Sequence, residues 1–260
     1  MSNIRQAFQN GKAFIPFITC GDPDLESTKR NVRAAVAAGA DLVELGIPFS
    51  DPTAEGPVIQ AANLRALSGG VTTDAVFQMV AELREELTTP FVFMTYANVV
   101  FSYGIEHFAA RAAEVGIDGI ILPDVPFEEK EEFAPAFRAA GIDFISMIAP
   151  TSMARIREIA AAAEGFLYVV SSLGVTGERR EIETDLQSML AEVRAANPEL
   201  PAAIGFGIST PEQAKSMGAI ADGVIVGSAI MRIIGEKGQQ ADKALGQYVR
   251  EMKSAANTFF

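Results

Sequence analysis

Residues 37–45 read AAGADLVEL, in which a helical pattern ends, a glycine and an acidic residue follow, and an apolar run begins. The same order returns in EVGIDGIIL at 114–122, in AAGIDFISM at 139–147 and, with alanine for glycine, in AIADGVIV at 219–226. A glycine just past a helix is the preferred left-handed cap, and a repeat of about 25 to 45 residues marks a recurring supersecondary unit. The stretch therefore predicts a chain built from repeated βα units.

Short β-rich runs alternate along the chain with longer segments of helical period. The predicted strands lie at 13–19, 41–46, 91–95, 119–122, 143–148, 166–170, 202–205 and 223–226. The predicted helices lie near 25–38, 72–87, 105–115, 127–140, 153–164, 185–196, 211–217 and 240–255. Eight such units close a (β/α)8 barrel, also called a TIM barrel.

We therefore predict an α/β protein in which residues 1–260 form a single (β/α)8 barrel domain. An extra N-terminal helix and extra short helices after the second and eighth strands complete the predicted fold. An open doubly wound sheet is the alternative. It is disfavoured because no G-x-G-x-x-G follows the first strand and no linker rich in Pro, Gly or Ser divides the chain.

The composition limits the classes of function. With 49% hydrophobic and 21% charged residues the chain can bury a core, and its net charge of −12 opposes binding to nucleic acids and anionic membranes. No apolar run reaches the roughly 18 residues of a membrane span, and the N-terminus does not read as a signal peptide, so we expect a cytoplasmic protein. The single cysteine, Cys20, cannot form an internal disulfide and is predicted to be a buried thiol.

Glycine-bearing loops follow the last two predicted strands. They read GFGIST at 205–210 and GSAI at 227–230, the second opening a short helical turn. In (β/α)8 barrels the loops at this place commonly bind phosphate, because free backbone N–H groups and the helix dipole both favour an anion. The residues that we assign to phosphate binding are Gly205, Gly207, Gly227 and Ser228. The alternative is that these glycines only permit tight turns.

The loop after the strand at 166–170 is long and polar, reading SSLGVTGERREIET at 171–184. Loops of this length at a barrel mouth are often lids. Gly174 and Gly177 are candidate hinges, and Thr176 would present a hydrogen-bonding group between them. A solvated connection without function is the alternative.

The one histidine, His107, falls on a predicted outer helix, so carboxylates, tyrosine, lysine and threonine are the candidate proton-transfer groups. A Ser-His-Asp triad and a histidine-rich metal site are excluded, and no lysine stands in or at the end of a predicted strand. Glu44 lies in the second strand between Val43 and Leu45, where apolar surroundings should raise its pKa toward neutrality. The alternative is a buried structural ion pair, for example with Arg65.

Polar and apolar groups converge on the same predicted mouth. Tyr96 and Asp124 follow two strands and Tyr168 lies within a third. The predicted apolar walls are Phe17, Met94, Leu122, Ile148 and Phe206. An apolar slot, a phosphate cradle and carboxylates together predict a pocket for a phosphorylated aromatic metabolite, with no metal.

Stretches spread over the whole chain resemble the α subunits of tryptophan synthase. They are FIPFITCGDPD at 14–24, ELGIPFSDPTAEGPVIQAANLRAL at 44–67, MTYANVVFSYG at 94–104, LPDVP at 122–126, LGVTG at 173–177, GFGIST at 205–210 and VGSAI at 226–230. The resemblance implies retro-aldol cleavage of indole-3-glycerol phosphate to indole and glyceraldehyde 3-phosphate, without a cofactor in this chain.

The resemblance also implies roles for individual residues. Glu44 would carry the proton transfers, Glu55 would hold the indole nitrogen, and Thr176 would tie a closed lid to the loop of Glu55. The substrate-binding set is Phe17, Met94, Tyr96, Leu122, Tyr168, Thr176 and Phe206, and the phosphate-binding set is Gly177, Gly207, Gly227 and Ser228.

Two positions depart from the commoner pattern of this family. The family usually has aspartate where this chain has Glu55, which keeps the carboxylate but adds one methylene. It often has arginine where this chain has Ser172, which is followed by Leu173, so the predicted lid lacks that positive charge. Reduced or altered fit at the indole end is the risk of the first departure.

The family works with a β subunit that carries pyridoxal phosphate and joins indole to serine, which implies an α2β2 complex here. The predicted partner-facing positions are Asp51, Pro52, Asn98 and Phe101. Two alternatives stay open, a catalytically weak regulatory partner of the β subunit and another phosphate-binding barrel enzyme.

Overall fold

A computed structural model describes residues 3–150, 153–171 and 179–258, and within these ranges nine parallel strand segments form a nearly closed barrel. They are β1 (Ala13–Thr19), β2 (Val43–Gly46), β3 (Phe91–Met94), β4 (Gly119–Ile121), β5 (Asp143–Phe144), β6 (Ser146–Ile148), β7 (Leu167–Val170), β8 (Ala202–Gly205) and β9 (Gly223–Val226). Their order in the sheet is β5-β4-β3-β2-β1-β9-β8-β7-β6. The predicted barrel and its eight strand positions are confirmed.

The fifth predicted strand differs from expectation because it is divided into β5 and β6. The division falls at Ile145, whose N–H donates to the carbonyl of Ile120 at 2.9 Å. Before this residue the chain pairs with β4, and after it the chain pairs with β7. One continuous stretch therefore joins the two edges of the sheet.

Helices cover the barrel in the order that the alternating pattern predicts. They are α1 (Leu25–Ala37), α2 (Pro57–Ser68), α3 (Thr73–Arg84), α4 (Ala97–Tyr103), α5 (Ile105–Glu114), α6 (Ala134–Ala139), α7 (Met153–Ala161), α8 (Arg179–Ala196), α9 (Pro211–Ile220), α10 (Ser228–Lys237) and α11 (Ala241–Ala256). Short 3-10 helices occupy Ile4–Phe8, Phe127–Glu132 and Gly238–Gln240. The extra helices after β2 and β9 are α2 and α10.

Three helical regions differ from the prediction. The sequence ANVVFSY of α4 is rich in β-branched and aromatic residues, which favour strands, so its helix was not predicted. The helix predicted near 127–140 is divided into a 3-10 turn and α6. The helix α8 begins at Arg179, so residues 179–184 of the predicted lid loop are helical.

The acidic residue of the repeated motif has a structural role that explains the repeat. The carboxylate of Asp41 accepts the N–H of Phe14 in β1 at 2.7 Å, and that of Asp118 accepts the N–H of Phe91 in β3 at 3.0 Å. Asp222 does the same for Ala202 in β8, also at 3.0 Å. Each carboxylate thus satisfies a backbone donor at the start of the neighbouring strand, where a parallel ladder begins.

The strands are buried on both faces, as parallel sheets with a coat of helices require. A second feature of the repeat also holds, since Gly39 and Gly116 adopt φ of +105° and +83° directly after their helices. Within the described ranges, none of the helices has the length and apolar character needed to cross a membrane.

Candidate active site

A cavity of about 370 Å³ opens at the carboxyl ends of the strands. It is lined by predicted site residues from β1, β2, β3, β7, the loop after β8 and the start of α10. These are Phe17, Glu44, Glu55, Met94, Tyr168, Phe206, Gly207, Gly227 and Ser228. The structure thus brings both candidate carboxylates and most of the predicted phosphate loop to one place.

Glu44 lies at the deep end of this cavity with only 1% of its surface exposed. Neither of its carboxylate oxygens has a hydrogen-bond partner in the described part of the chain. Burial raises the pKa of Glu44 to about 8, and the charge of Glu55 adds to the increase. The side chain is therefore a neutral acid at pH 7, able to give a proton to a molecule in the cavity.

The alternative of a structural ion pair between Glu44 and Arg65 is wrong. The guanidinium of Arg65 instead makes two hydrogen bonds to the carboxylate of Asp22, at 2.8 and 2.7 Å. This bidentate pair satisfies Asp22, which is 1% exposed, and leaves Glu44 without a cation. The unpaired state of Glu44 therefore distinguishes it from the buried aspartates.

Glu55 is held in place by residues of its own loop and of α2. The amide nitrogen of Asn63 donates to Glu55 Oε2 at 2.6 Å, and the amide of Gln60 donates to the backbone carbonyl of Glu55 at 2.7 Å. Burial raises the pKa of Glu55 to about 7, against the opposing effect of the Asn63 hydrogen bond. Glu55 is thus partly ionised near neutrality and keeps one oriented oxygen.

Tyr96 supports this loop from outside the cavity wall. Its hydroxyl accepts the N–H of Ala54 at 3.0 Å, and its ring stacks on Phe49 with centroids 5.1 Å apart. Burial raises the pKa of Tyr96, so it stays a neutral phenol. The structure thus places Tyr96 behind the residue that precedes Glu55, whereas direct substrate contact stays a prediction.

Aromatic rings form the walls beside Glu44. The rings of Tyr168 and Phe206 meet edge to face with centroids 6.3 Å apart. A Cβ at Gly205 would lie 2.5 Å from the Tyr168 hydroxyl, and one at Gly46 would lie 2.5 Å from the ring of Phe17. Glycine at these two strand ends therefore leaves space for the rings that shape an apolar slot.

The opposite end of the cavity is formed by two tight backbone features. Phe206 and Gly207 have φ of +73° and +74°, and for Phe206 this is a strained conformation. The hydroxyl of Ser171 donates to the Phe206 carbonyl at 2.7 Å and helps to hold it there. Beyond them α10 starts at Ser228 after Gly227, which provides no side-chain cap, so the first N–H groups of this helix are available to bind an anion.

Some predicted residues lie elsewhere. Leu122 and Ile148 line a separate cavity of about 190 Å³, and the carboxylate of Asp124 caps α4 through the N–H of Ala97. Thr176 and Gly177, together with Ser172 and Gly174, lie outside the described residues. Gly205 ends β8 next to the cavity, where it makes room for Tyr168.

The predicted partner-facing residues lie on the loop after β2 and on α4. Asp51 and Asn98 are exposed, and Phe101 presents 69% of its surface, which is unusual for a phenylalanine. Pro52 is buried in the isolated chain.

Several residues in or beside the cavity were not predicted from the sequence. The sequence does not indicate that Asn63 contacts Glu55, because an asparagine within a helical pattern does not reveal its hydrogen-bond partner. The position of Arg232 could have been inferred from the sequence, since it follows Ser228 by four residues and so shares a helix face with it. Ile59 and Ser209 complete the walls.

Two other residues agree with the sequence-based interpretation. His107 stacks on Tyr103 at 5.0 Å on the outer helix α5, and Cys20 is fully buried, which raises the pKa of its thiol. Among the residues that the structure describes, His, Cys, Asp and Glu form no group of three or more that could hold a metal ion.

The barrel, the buried acid and the anion-ready helix start define the class of (β/α)8-barrel enzymes that act by acid–base catalysis on anionic substrates. Within that class, a family model described as tryptophan synthase alpha chain matches residues 2–258. The chain belongs to this family.

Individual relatives agree with the family model. The tryptophan synthase alpha chain of Lacticaseibacillus casei is 49% identical over 257 residues, covering 99% of this chain and 96% of the relative. That of Lactiplantibacillus plantarum is 50% identical over 256 residues, covering 98% of this chain and 96% of the relative. A crystal structure of tryptophan synthase subunit alpha from Legionella pneumophila has a TM-score of 0.90 at 37% identity, covering 100% of both chains.

Proposed function

We propose that the chain is a lyase of tryptophan biosynthesis that cleaves indole-3-glycerol phosphate to indole and glyceraldehyde 3-phosphate. The observation that carries this proposal is Glu44, an unpaired acid buried against an apolar cavity, with its pKa raised to about 8. A cavity of about 370 Å³ suits one metabolite of this size.

The chemistry requires a proton donor that later becomes a base. Indole C3 is a poor leaving group until it is protonated, so the acid form of Glu44 gives its proton to C3. The resulting carboxylate then takes the proton from the hydroxyl on the adjacent side-chain carbon while the C–C bond breaks and the carbonyl forms. Glu44 ends protonated, so the cycle closes without another acid or base.

Glu55 is assigned to the positive charge that builds on the indole N–H when C3 is protonated. Its ionised form accepts that hydrogen bond, and the amide of Asn63 at 2.6 Å orients the carboxylate for it. The extra methylene of glutamate must be absorbed by the loop, which the bond between Ala54 and Tyr96 anchors. Phe17, Met94, Tyr168 and Phe206 are assigned to the indole ring and the carbon chain.

The phosphate is assigned to Gly207, Gly227 and Ser228 at the start of α10, where free N–H groups and the helix dipole favour an anion. Gly177, Thr176, Tyr96 and Leu122 keep their predicted roles in this proposal. We also propose that residues 1–260 form one barrel domain.

The proposed function includes a partner protein, a β subunit that uses the indole. A solved tryptophan synthase complex from Pyrococcus furiosus contains a chain that matches this one with a TM-score of 0.83 at 36% identity, covering 93% of this chain and 98% of that one. We propose that Asp51, Pro52, Asn98 and Phe101 face a β subunit in an α2β2 complex. Pyridoxal phosphate belongs to that partner, and this chain uses no cofactor.

The test is turnover of indole-3-glycerol phosphate by the purified chain with a β subunit. Glu44→Gln keeps the shape but removes the transferable proton, so we expect kcat to fall by roughly 10²–10⁴-fold. Binding of glycerol 3-phosphate should persist in the same variant. The exposed Glu114→Gln provides the control, and near wild-type cleavage by Glu44→Gln would remove Glu44 from the mechanism.

The role of Glu55 is tested by a length series. Glu55→Asp should remain active because it keeps the carboxylate, whereas Glu55→Ala should lose most turnover. Equal activity in the wild type and both variants would contradict the assignment. A chain without cleavage activity that still stimulates the β subunit would support the regulatory alternative.

A further inference from the structure

The cavity has an uneven distribution of charge. The two acids that line it are Glu44 and Glu55, whereas Arg232 is the only cation among the described residues that line it. Arg232 belongs to α10 and lies at the same end as Gly227 and Ser228. In a chain with a net charge of −12, a single exposed cation lining a binding cavity calls for an explanation.

The position of Arg232 directs its side chain toward the start of α10. It follows Ser228 by four residues, so the two lie on the same helix face. Side chains on a helix lean toward its N-terminus, and an arginine is long enough to span one turn. Its guanidinium can therefore reach the space in front of the first N–H groups of α10.

That location is electrostatically unfavourable for a cation without an anion. The N-terminal end of a helix carries a partial positive charge, which opposes a nearby guanidinium. Several other arginines have carboxylate partners, as Arg65 has Asp22 and Arg84 has Asp118. In the described part of the chain Arg232 forms no such ion pair.

The neighbours of Arg232 keep this end of the cavity fixed. The Tyr248 hydroxyl donates to the carbonyl of Ser209 at 3.0 Å, which joins α11 to the loop that lines the cavity. Arg232 lies close enough to Tyr248 for its charge to act on the phenol. Arg232 therefore lines the cavity next to a wall that the Tyr248 hydrogen bond holds in place.

We propose that Arg232 binds the phosphate group of the substrate. The proposal rests on the function proposed above and adds a side-chain cation to the backbone donors of Gly207, Gly227 and Ser228. A guanidinium offers paired N–H donors that match two phosphate oxygens. The phosphate in turn neutralises the charge of Arg232, which the positive end of the α10 dipole would otherwise oppose.

The test compares Arg232→Gln with Arg250→Gln, since both remove one exposed arginine and change the net charge equally. Arg250 lies on α11 and does not line the cavity. Binding of inorganic phosphate and of glycerol 3-phosphate is measured by calorimetry at low salt. We expect Arg232→Gln to weaken both by about 10-fold, Arg232→Lys to lose less because it keeps the charge but not the paired donors, and Arg250→Gln to match the wild type.

Kinetics separate phosphate binding from a general effect on the cavity. Arg232→Gln should raise the KM for indole-3-glycerol phosphate by about the same factor and leave kcat within about twofold. With indoleglycerol, which lacks the phosphate, the variant and the wild type should have equal kcat/KM.

Two results would overturn the inference. Equal phosphate affinity in Arg232→Gln and Arg250→Gln would remove Arg232 from the site, and an equal loss with indoleglycerol would reduce it to a structural role. If the wild type cleaves indole-3-glycerol phosphate in either case, the proposed function stands and only the role of Arg232 fails. A wild type that neither binds phosphate nor cleaves the substrate would instead overturn the proposed function itself.

Discussion

Glu44 and the aspartates at the amino ends of the strands use their carboxylates in opposite ways. At the amino ends of the strands, Asp118 accepts the N–H of Phe91 and pairs with Arg84 at 2.9 Å, and Asp41 pairs with Lys253 at 2.6 Å. At the carboxyl ends, Glu44 has no partner among the described residues. The same chemical group therefore stabilises the fold in Asp118 and Asp41, as it does in Asp22 beside Arg65, whereas in Glu44 it is left free to exchange a proton.

The difference has an energetic cause. A buried carboxylate is tolerated when hydrogen bonds and a cation replace its hydration, as they do for Asp118. Glu44 lacks both among the described residues, so burial keeps it protonated. Ionisation of Glu44 in the folded chain would therefore lower the free energy of unfolding. Changes at the two ends should consequently affect different properties.

The largest expected effect on stability lies at the amino ends. Asp118→Ala leaves the partly buried guanidinium of Arg84 and the N–H of Phe91 without their acceptor, so unfolding should become easier by about 3 kcal/mol. Urea unfolding measures this change. The exposed pair of Glu114 and Arg111 gives the control, because Glu114→Ala should cost less than about 1 kcal/mol. Similar losses in both variants would contradict the role of Asp118.

Glu44→Gln should change how stability depends on pH. The pKa of Glu44 is about 8 when folded against 4.5 for the ordinary side chain, so the folded chain binds more protons between these values. Its contribution to stability is complete below pH 4.5 and is lost as pH rises through 8, with a slope of up to about 1.4 kcal/mol per pH unit.

The glutamine variant lacks this titration, so it should gain stability relative to the wild type as pH rises from 5 to 9. Thermal unfolding across this range measures the difference, with Glu114→Gln as the control. A difference between Glu44→Gln and wild type that stays constant over the range would show that Glu44 is not buried as an acid.

The pH profile of kcat/KM tests both acids together. Glu44 must start protonated, so the rate should fall above a pKa of about 8. Glu55 must be ionised to hold the indole N–H, so the rate should fall below a pKa of about 7. Glu55→Gln should lower the rate and remove the acid limb, whereas persistence of that limb would assign it to another group.

The smallest expected effect comes from Asn63→Ala. Its amide lowers the pKa of Glu55, so removing it should move the acid limb of the profile upward by less than about one unit. Gln60→Ala is the matched control, because Gln60 bonds the backbone of Glu55 and leaves the carboxylate alone. An equal shift in both variants would indicate a general loosening of the loop.

The sequence predicts the parts of this molecule that depend on local periodicity. The repeated glycine, acid and apolar run located the strands, and the position of Glu44 between Val43 and Leu45 indicated its burial. The division of the fifth strand at Ile145 could not be predicted, because it depends on which neighbours pair there. The contact between Asn63 and Glu55 likewise depends on how a loop folds back onto a helix.

The stretch through Ile145 has a further consequence for association between chains. The edges of an open sheet present unpaired N–H and C=O groups that can recruit another chain and begin aggregation. Here the two edge strands are β5, with two residues, and β6, with three residues. They follow one another in the sequence, so a single continuous stretch of chain covers both edges of the sheet. Local unfolding of β5 and β6 would leave β4 and β7 with unpaired backbone N–H and C=O groups. Such edges can pair with another chain, so local unfolding here would favour aggregation.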